Sequence, residues 1–113
     1  MHLILQPMTK LPVLRQWLAK NGFDWTEQVV SEGGKFYVVL DVRSAAAPQL
    51  LTLLEQEVGR IDWQEPCASA YASWKLKRFQ KLAQQLKQAG VPEYSLWESL
   101  AEETAAKLGR NPR

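Results

Sequence analysis

The chain opens on Leu3-Ile4-Leu5-Gln6-Pro7, an apolar run that starts almost at the first residue. A short, continuously apolar segment closed by proline reads as a strand buried on both faces, the kind found inside a parallel sheet covered by helices. Such a strand needs a neighbour on each edge. Beyond it come a helical stretch over 9–20, then strand-like runs at 25–30 and 36–43 joined through Glu32-Gly33-Gly34-Lys35. One crossover and one hairpin supply one side of the first strand and hardly both. The expectation is an α/β fold forming the second half of a larger doubly wound domain.

Within that half, Val38-Val39-Leu40 is again continuously apolar and suits an interior strand, whereas Trp25-Thr26-Glu27-Gln28 is more polar and suits an edge. The predicted order therefore puts the run at 36–43 between the other two. Glycine at Gly33-Gly34 serves a tight turn between these strands. In the first helix Thr9 is the expected N-cap, Pro12 is tolerated in the first turn, and Leu11, Leu14, Trp17 and Leu18 share a face that covers the sheet. Asn21-Gly22 ends it.

Residues 48–108 look wholly helical, which divides the chain into 1–44 and a helical extension over 45–113, with Ala45-Ala46-Ala47-Pro48 as a hinge and 109–113 as a frayed tail. A helix begins at Leu50 and stops near Gly59. After a break at Trp63-Gln64-Glu65-Pro66, a long helix over 68–89 carries Ala72, Leu76, Phe79, Leu82, Ala83 and Leu86 in one apolar arc. Gly90-Val91-Pro92 ends it. A last helix over 93–108 turns Leu96, Trp97, Leu100, Ala101, Thr104 and Leu108 inward.

The 113 residues, 46% of them hydrophobic, suffice for one folded core, and a net charge of +2 neither requires nor excludes nucleic acid. The single cysteine, Cys67, cannot form an internal disulfide. No signal-peptide pattern and no apolar run of bilayer length is present, so a cytoplasmic chain without membrane contact is expected. With His2 the only imidazole, a metal cluster or a Cys/His nucleophilic pair lacks material. Neither catalytic nor metal-binding residues are expected. The acids Glu55, Glu57, Asp62 and Glu65 near the break read as a solvated face.

One polar constellation stands out. Lys75, Lys77, Arg78 and Lys81, with Lys87 beyond, lie in a stretch that has no acidic residue between Glu65 and Glu93. At 100° per residue Lys77 and Lys81 share a face with Trp74, and Arg78 flanks it. Such a cationic ridge with an indole beside it can hold a phosphate backbone and stack on a base. The alternative is an ordinary solvated helix face whose charges lie near Glu98, Glu102 or Glu103 of the next helix.

Two motifs carry a resemblance. The strand Leu3-Ile4-Leu5-Gln6-Pro7 and the helix Arg15-Gln16-Trp17-Leu18-Ala19-Lys20-Asn21-Gly22, followed by the hairpin strand Lys35-Phe36-Tyr37-Val38-Val39, resemble the later part of the bacterial tRNA (adenine-22-N1)-methyltransferase family. The resemblance implies the C-terminal part of a doubly wound class I methyltransferase sheet, with strands five, six and seven, followed by a helical extension used with tRNA. Family members bind S-adenosylmethionine through a glycine-rich loop after the first strand, which precedes the matched region. The family cofactor is thus S-adenosylmethionine, with none expected to bind this chain alone. Gln6 and Pro7 match the family at the carboxyl end of a strand, where substrates enter this fold, and are candidates for the substrate edge.

The resemblance implies the C-terminal part of a tRNA adenine methyltransferase, inactive without its other half, and the cationic ridge makes Trp74, Lys75, Lys77, Arg78 and Lys81 the candidates for holding tRNA. A noncatalytic module that binds RNA or protein, and a helix-mediated oligomerisation domain, are the alternatives. The apolar edge of the first strand predicts self-association when it has no partner.

Overall fold

The computed structural model describes residues 2–5, 10–45 and 47–109. Gln6, Pro7, Thr9 and Ala46 lie outside them. The described elements are β1 (His2–Leu5), α1 (Leu11–Lys20), β2 (Phe23–Glu32), β3 (Lys35–Ser44), α2 (Leu53–Glu57), α3 (Pro66–Gln88) and α4 (Tyr94–Lys107).

The sheet has the order β1-β3-β2, with the apolar strand in the middle as expected. Both pairings are antiparallel. β2 and β3 meet in a two-residue turn in which Gly33 and Gly34 have φ of 59° and 77°, the left-handed conformations that a hairpin of this length demands and glycine adopts without strain. The register places Leu5 opposite Leu40 and Trp25 opposite Val42. Side chains alternate across a strand, so Leu3, Leu5, Trp25, Val29, Leu40 and Val42 share one face.

That face is covered by α1 and α3, which pack on β2, while α2 and α4 pack on those helices. Leu18, Trp25, Leu40, Val42, Tyr71, Ala72 and Leu100 belong to one continuous core joining sheet, α1, α3 and α4. The opposite face, with Ile4, Thr26, Gln28 and Val30, is exposed. The expectation that β1 is buried on both faces is therefore corrected within this chain. Ile4 is 70% exposed, because β1 has β3 on one edge only and no described helix on its outer face.

The segment read as a hinge is tied back to α1, since Ala45 N donates to Gly22 O at 2.8 Å and Gln49 N to Ala19 O at 2.9 Å. α2 starts later than expected, at Leu53, with Thr52 and Glu55 forming a reciprocal capping box. α3 starts on Glu65, whose carboxylate accepts from Cys67 N and Ala68 N. Two of the four acids read as solvent-facing thus cap helices. Gly90 and Pro92 separate α3 from α4, which returns along it with Leu100, Ala101, Thr104 and Ala105 buried. Leu96, expected inside, is half exposed.

On α1 the expected apolar face also needs correction. Trp17 is largely exposed, where it stacks on Phe23 at 5.9 Å, and the most buried side chain of the helix is Arg15. Its guanidinium is held on every side. Nε donates to Glu27 Oε2 at 3.1 Å, Nη2 to Glu27 Oε1 at 2.8 Å, Nη1 to Gln56 O at 2.8 Å and Nη2 to Val58 O at 3.2 Å. Glu27 also accepts from Trp25 Nε1 at 2.9 Å and Arg60 N at 3.0 Å. A charge can be buried here because this bidentate pair leaves none of its polar atoms without a partner. The pair joins α1, β2 and the segment after α2.

Candidate nucleic-acid interface

α3 runs 23 residues, about 34 Å at 1.5 Å per residue, and buries Ala68, Tyr71, Ala72, Leu76, Phe79 and Ala83. Its inward stripe leaves Trp74, Lys77, Arg78 and Lys81 exposed. Tyr71, Trp74, Lys75 and Arg78 then face a cleft of about 570 Å³ whose other walls are Lys10 at the start of α1 and Gly34 to Tyr37 at the start of β3. Among the described residues four cations line this cleft, and no carboxylate does.

Its floor is aromatic. Phe36 meets Tyr71 edge-on at 5.7 Å and Trp74 at 5.9 Å, and Tyr71 lies 6.1 Å from Trp74. The Arg78 guanidinium sits 4.9 Å from the indole centroid. Burial pushes the Tyr71 phenol above its ordinary pKa, so it is a neutral hydroxyl at physiological pH. Burial also lowers the Lys75 pKa, opposed by the charge of Glu57. Lys75 Nζ lies 5.4 Å from the Phe79 ring, on the side where a second groove continues along α3 past Lys81 to Trp97.

Of the residues singled out in the sequence, Trp74, Lys75 and Arg78 come together in the cleft, and Lys81 joins Lys75 and Arg78 in the second groove. Lys77 is exposed on α3 and lines neither. Gln6 and Pro7 lie outside the described residues. Among those residues no ion pair within 4 Å links the α3 cations to Glu98, Glu102 or Glu103. Sequence reading missed Lys10, Lys35, Phe36 and Tyr71, which the fold brings to the same cleft from three separate elements.

No group of three or more potential metal ligands occurs among the described residues. No helix among them is long and apolar enough to cross a membrane.

A three-stranded sheet whose outer strand has no second partner among the described residues, with helices on one face, fits part of a larger α/β domain. A protein of the NADB-Rossmann superfamily from Streptococcus agalactiae superposes on 95% of this chain with a TM-score of 0.74 at 23% identity, over 47% of its own length. The pattern of the tRNA (adenine(22)-N(1))-methyltransferase family matches residues 1–106, and the chain belongs to that family. A putative tRNA (m1A22) methyltransferase of Streptococcus pneumoniae is similar over 95% of this chain and 49% of its own, with a TM-score of 0.73 and 22% identity. The same protein in complex with S-adenosyl-L-methionine gives 26% identity and a TM-score of 0.61 over 95% and 47%. This chain spans about half the length of these structures. No curated protein matches.

The residues present do not fit S-adenosylmethionine. Binding it in a Rossmann-type sheet calls for a glycine-rich turn from a strand into a helix. Here neither the connection from β1 to α1 nor that from β3 to α2 contains a glycine, and Gly33-Gly34 joins two strands.

Proposed function

We propose that this chain works as the C-terminal part of a tRNA (adenine-22-N1)-methyltransferase, supplying the sheet edge and a helical arm that holds tRNA in the cytoplasm. The S-adenosylmethionine site belongs to the other half of the sheet. The observation that carries this reading is the cleft where Lys10, Lys35, Lys75 and Arg78 surround aromatic rings with no carboxylate among them. In a family that modifies tRNA, a rigid helix without acidic residues, cationic along its exposed side, is chemically suited to a phosphate backbone. Lys77 and Lys81 extend the basic surface along α3, outside the cleft.

The test is a titration of tRNA into this chain at several salt concentrations, repeated with Lys77→Gln, Arg78→Gln and Lys81→Gln combined. Each cation removed from a phosphate lowers the logarithmic salt slope by roughly 0.7 to 0.9, so the expected fall is about 2 to 3. A folded triple variant with an unaltered slope refutes the arm.

The outer edge of β1 and the exposed face bearing Ile4 and Val30 are the surfaces that the other half of the sheet would cover. A free edge beside apolar side chains invites pairing. The chain alone is expected to sediment as more than a monomer at micromolar concentration. A clean monomer would remove this edge as a docking surface.

A further inference from the structure

We infer that the cleft between the β2–β3 hairpin and α3 seats one unpaired nucleotide of the bound RNA, its base against the Trp74 indole and its flanking phosphates on Lys10, Lys35 and Arg78. This rests on the reading that the chain holds RNA, and it adds which part of the RNA is recognised. Phosphate binding alone needs only exposed cations, as on the outer side of α3. It does not account for three aromatic rings gathered at the bottom of a cationic cleft. The rings meet edge-on or tilted, at 69°, 40° and 35°, so none is consumed in a flush stack with another. Trp74 keeps 44% of its surface exposed despite these neighbours. An indole so placed, with a guanidinium 4.9 Å from its centroid, offers the stacking platform that unpaired bases take up.

The size and charge agree. A volume of about 570 Å³ falls within the roughly 300–1,000 Å³ of small-molecule sites. The cations come from three elements, Lys10 at the start of α1, Lys35 at the start of β3 and Arg78 on α3, so a chain crossing the cleft meets more than one positive group. In a duplex the base faces are stacked on each other, and only the backbone and base edges are presented. Such a ligand could use the walls and leave the floor empty. Tyr71, neutral because burial raises its pKa, adds a hydroxyl without adding negative charge.

The experiment compares a short single-stranded RNA with a blunt RNA duplex of the same sequence, using this chain, Trp74→Ala and Lys35→Gln. The single strand is expected to bind more tightly and to quench tryptophan fluorescence. Trp74→Ala should weaken single-strand binding about 5- to 140-fold, the equivalent of one base–aromatic stack of ~1–3 kcal/mol, and abolish that quenching. Duplex affinity should not change. Lys35 is exposed at the start of β3, so Lys35→Gln keeps the test valid if Trp74→Ala fails to fold. It should reduce the single-strand salt slope by about 0.7. Equal binding of both RNAs, with neither variant discriminating, overturns the nucleotide site while leaving the tRNA arm standing. Failure of both RNAs to bind, or preference for an acidic peptide over either, overturns both.

Discussion

Arg15 and Arg78 show two opposite treatments of the same side chain. Arg15 is completely buried, bidentate to Glu27 and capped by two backbone carbonyls from the far side of α2. Arg78 is exposed, leans on an indole and makes no ion pair within 4 Å among the described residues. A buried guanidinium must be fully satisfied before it is tolerated, so it reports on the architecture. An exposed one contributes little to stability and remains available to a ligand. The difference leaves Arg78 available to a ligand and places the motif arginine of α1 in the scaffold.

The sharpest way to break this contrast is Arg15→Met. It leaves Glu27 charged and buried with two carbonyls unpaired, and should cost about 3–5 kcal/mol in urea unfolding, a large part of the roughly 5–15 kcal/mol typical of a domain. Adding Glu27→Met should recover only part of that loss. Glu27 also serves Trp25 Nε1 and Arg60 N, which the second substitution strands. Full recovery would mean that the pair is a replaceable plug.

Gly59→Ala should cost less, about 1–3 kcal/mol. Gly59 holds φ of +102°, and an added Cβ would lie 2.5 Å from Arg15 Nη2 and closer still to Glu27 Oε1. Strain and collision act together in the backbone that wraps the pair between Val58 and Arg60. An unchanged unfolding midpoint would show that the pair can shift aside. By contrast, the combined Lys77→Gln, Arg78→Gln and Lys81→Gln variant should stay within about 0.5 kcal/mol of the parent chain. A larger loss would give the α3 cations a structural role like that of Arg15.

How far each region is legible in the sequence depends on where its partners lie along the chain. The hairpin, its Gly33-Gly34 turn and the central place of β3 rest on neighbouring residues and on one apolar run, and all were legible. So were Trp74, Lys75 and Arg78, one helical turn apart on α3. The Arg15 site draws on Glu27 at 12 residues' separation and on carbonyls 41 and 43 residues away, which no local period encodes. One trace was readable: Trp25, Glu27 and Val29 alternate inward, so Glu27 faces the core and requires a partner. Lys10, Lys35 and Phe36 join the cleft only once β2 and β3 fold back over α3. Lys35 and Phe36 belong to a motif of the resemblance, but nothing local places any of the three in one cleft.

The smallest expected effect separates the two regions by pH. Lys75 lies at the boundary between scaffold and cleft, and burial holds its pKa below the ordinary 10.5, against the pull of Glu57. Its ammonium is thus less favourable in the folded chain than in the unfolded one. Lowered pKa in the native state means that this penalty is fully present below the folded pKa and fades as pH rises through it towards 10.5. Lys75→Met should therefore stabilise the chain at neutral pH, and the gain should shrink as pH rises through that window. Unfolding midpoints of the parent chain and of Lys75→Met between pH 7 and roughly 10.5 decide it. A gain for Lys75→Met that does not depend on pH would trace to added apolar packing, and would leave Lys75 with no more electrostatic cost than the exposed cations beside it.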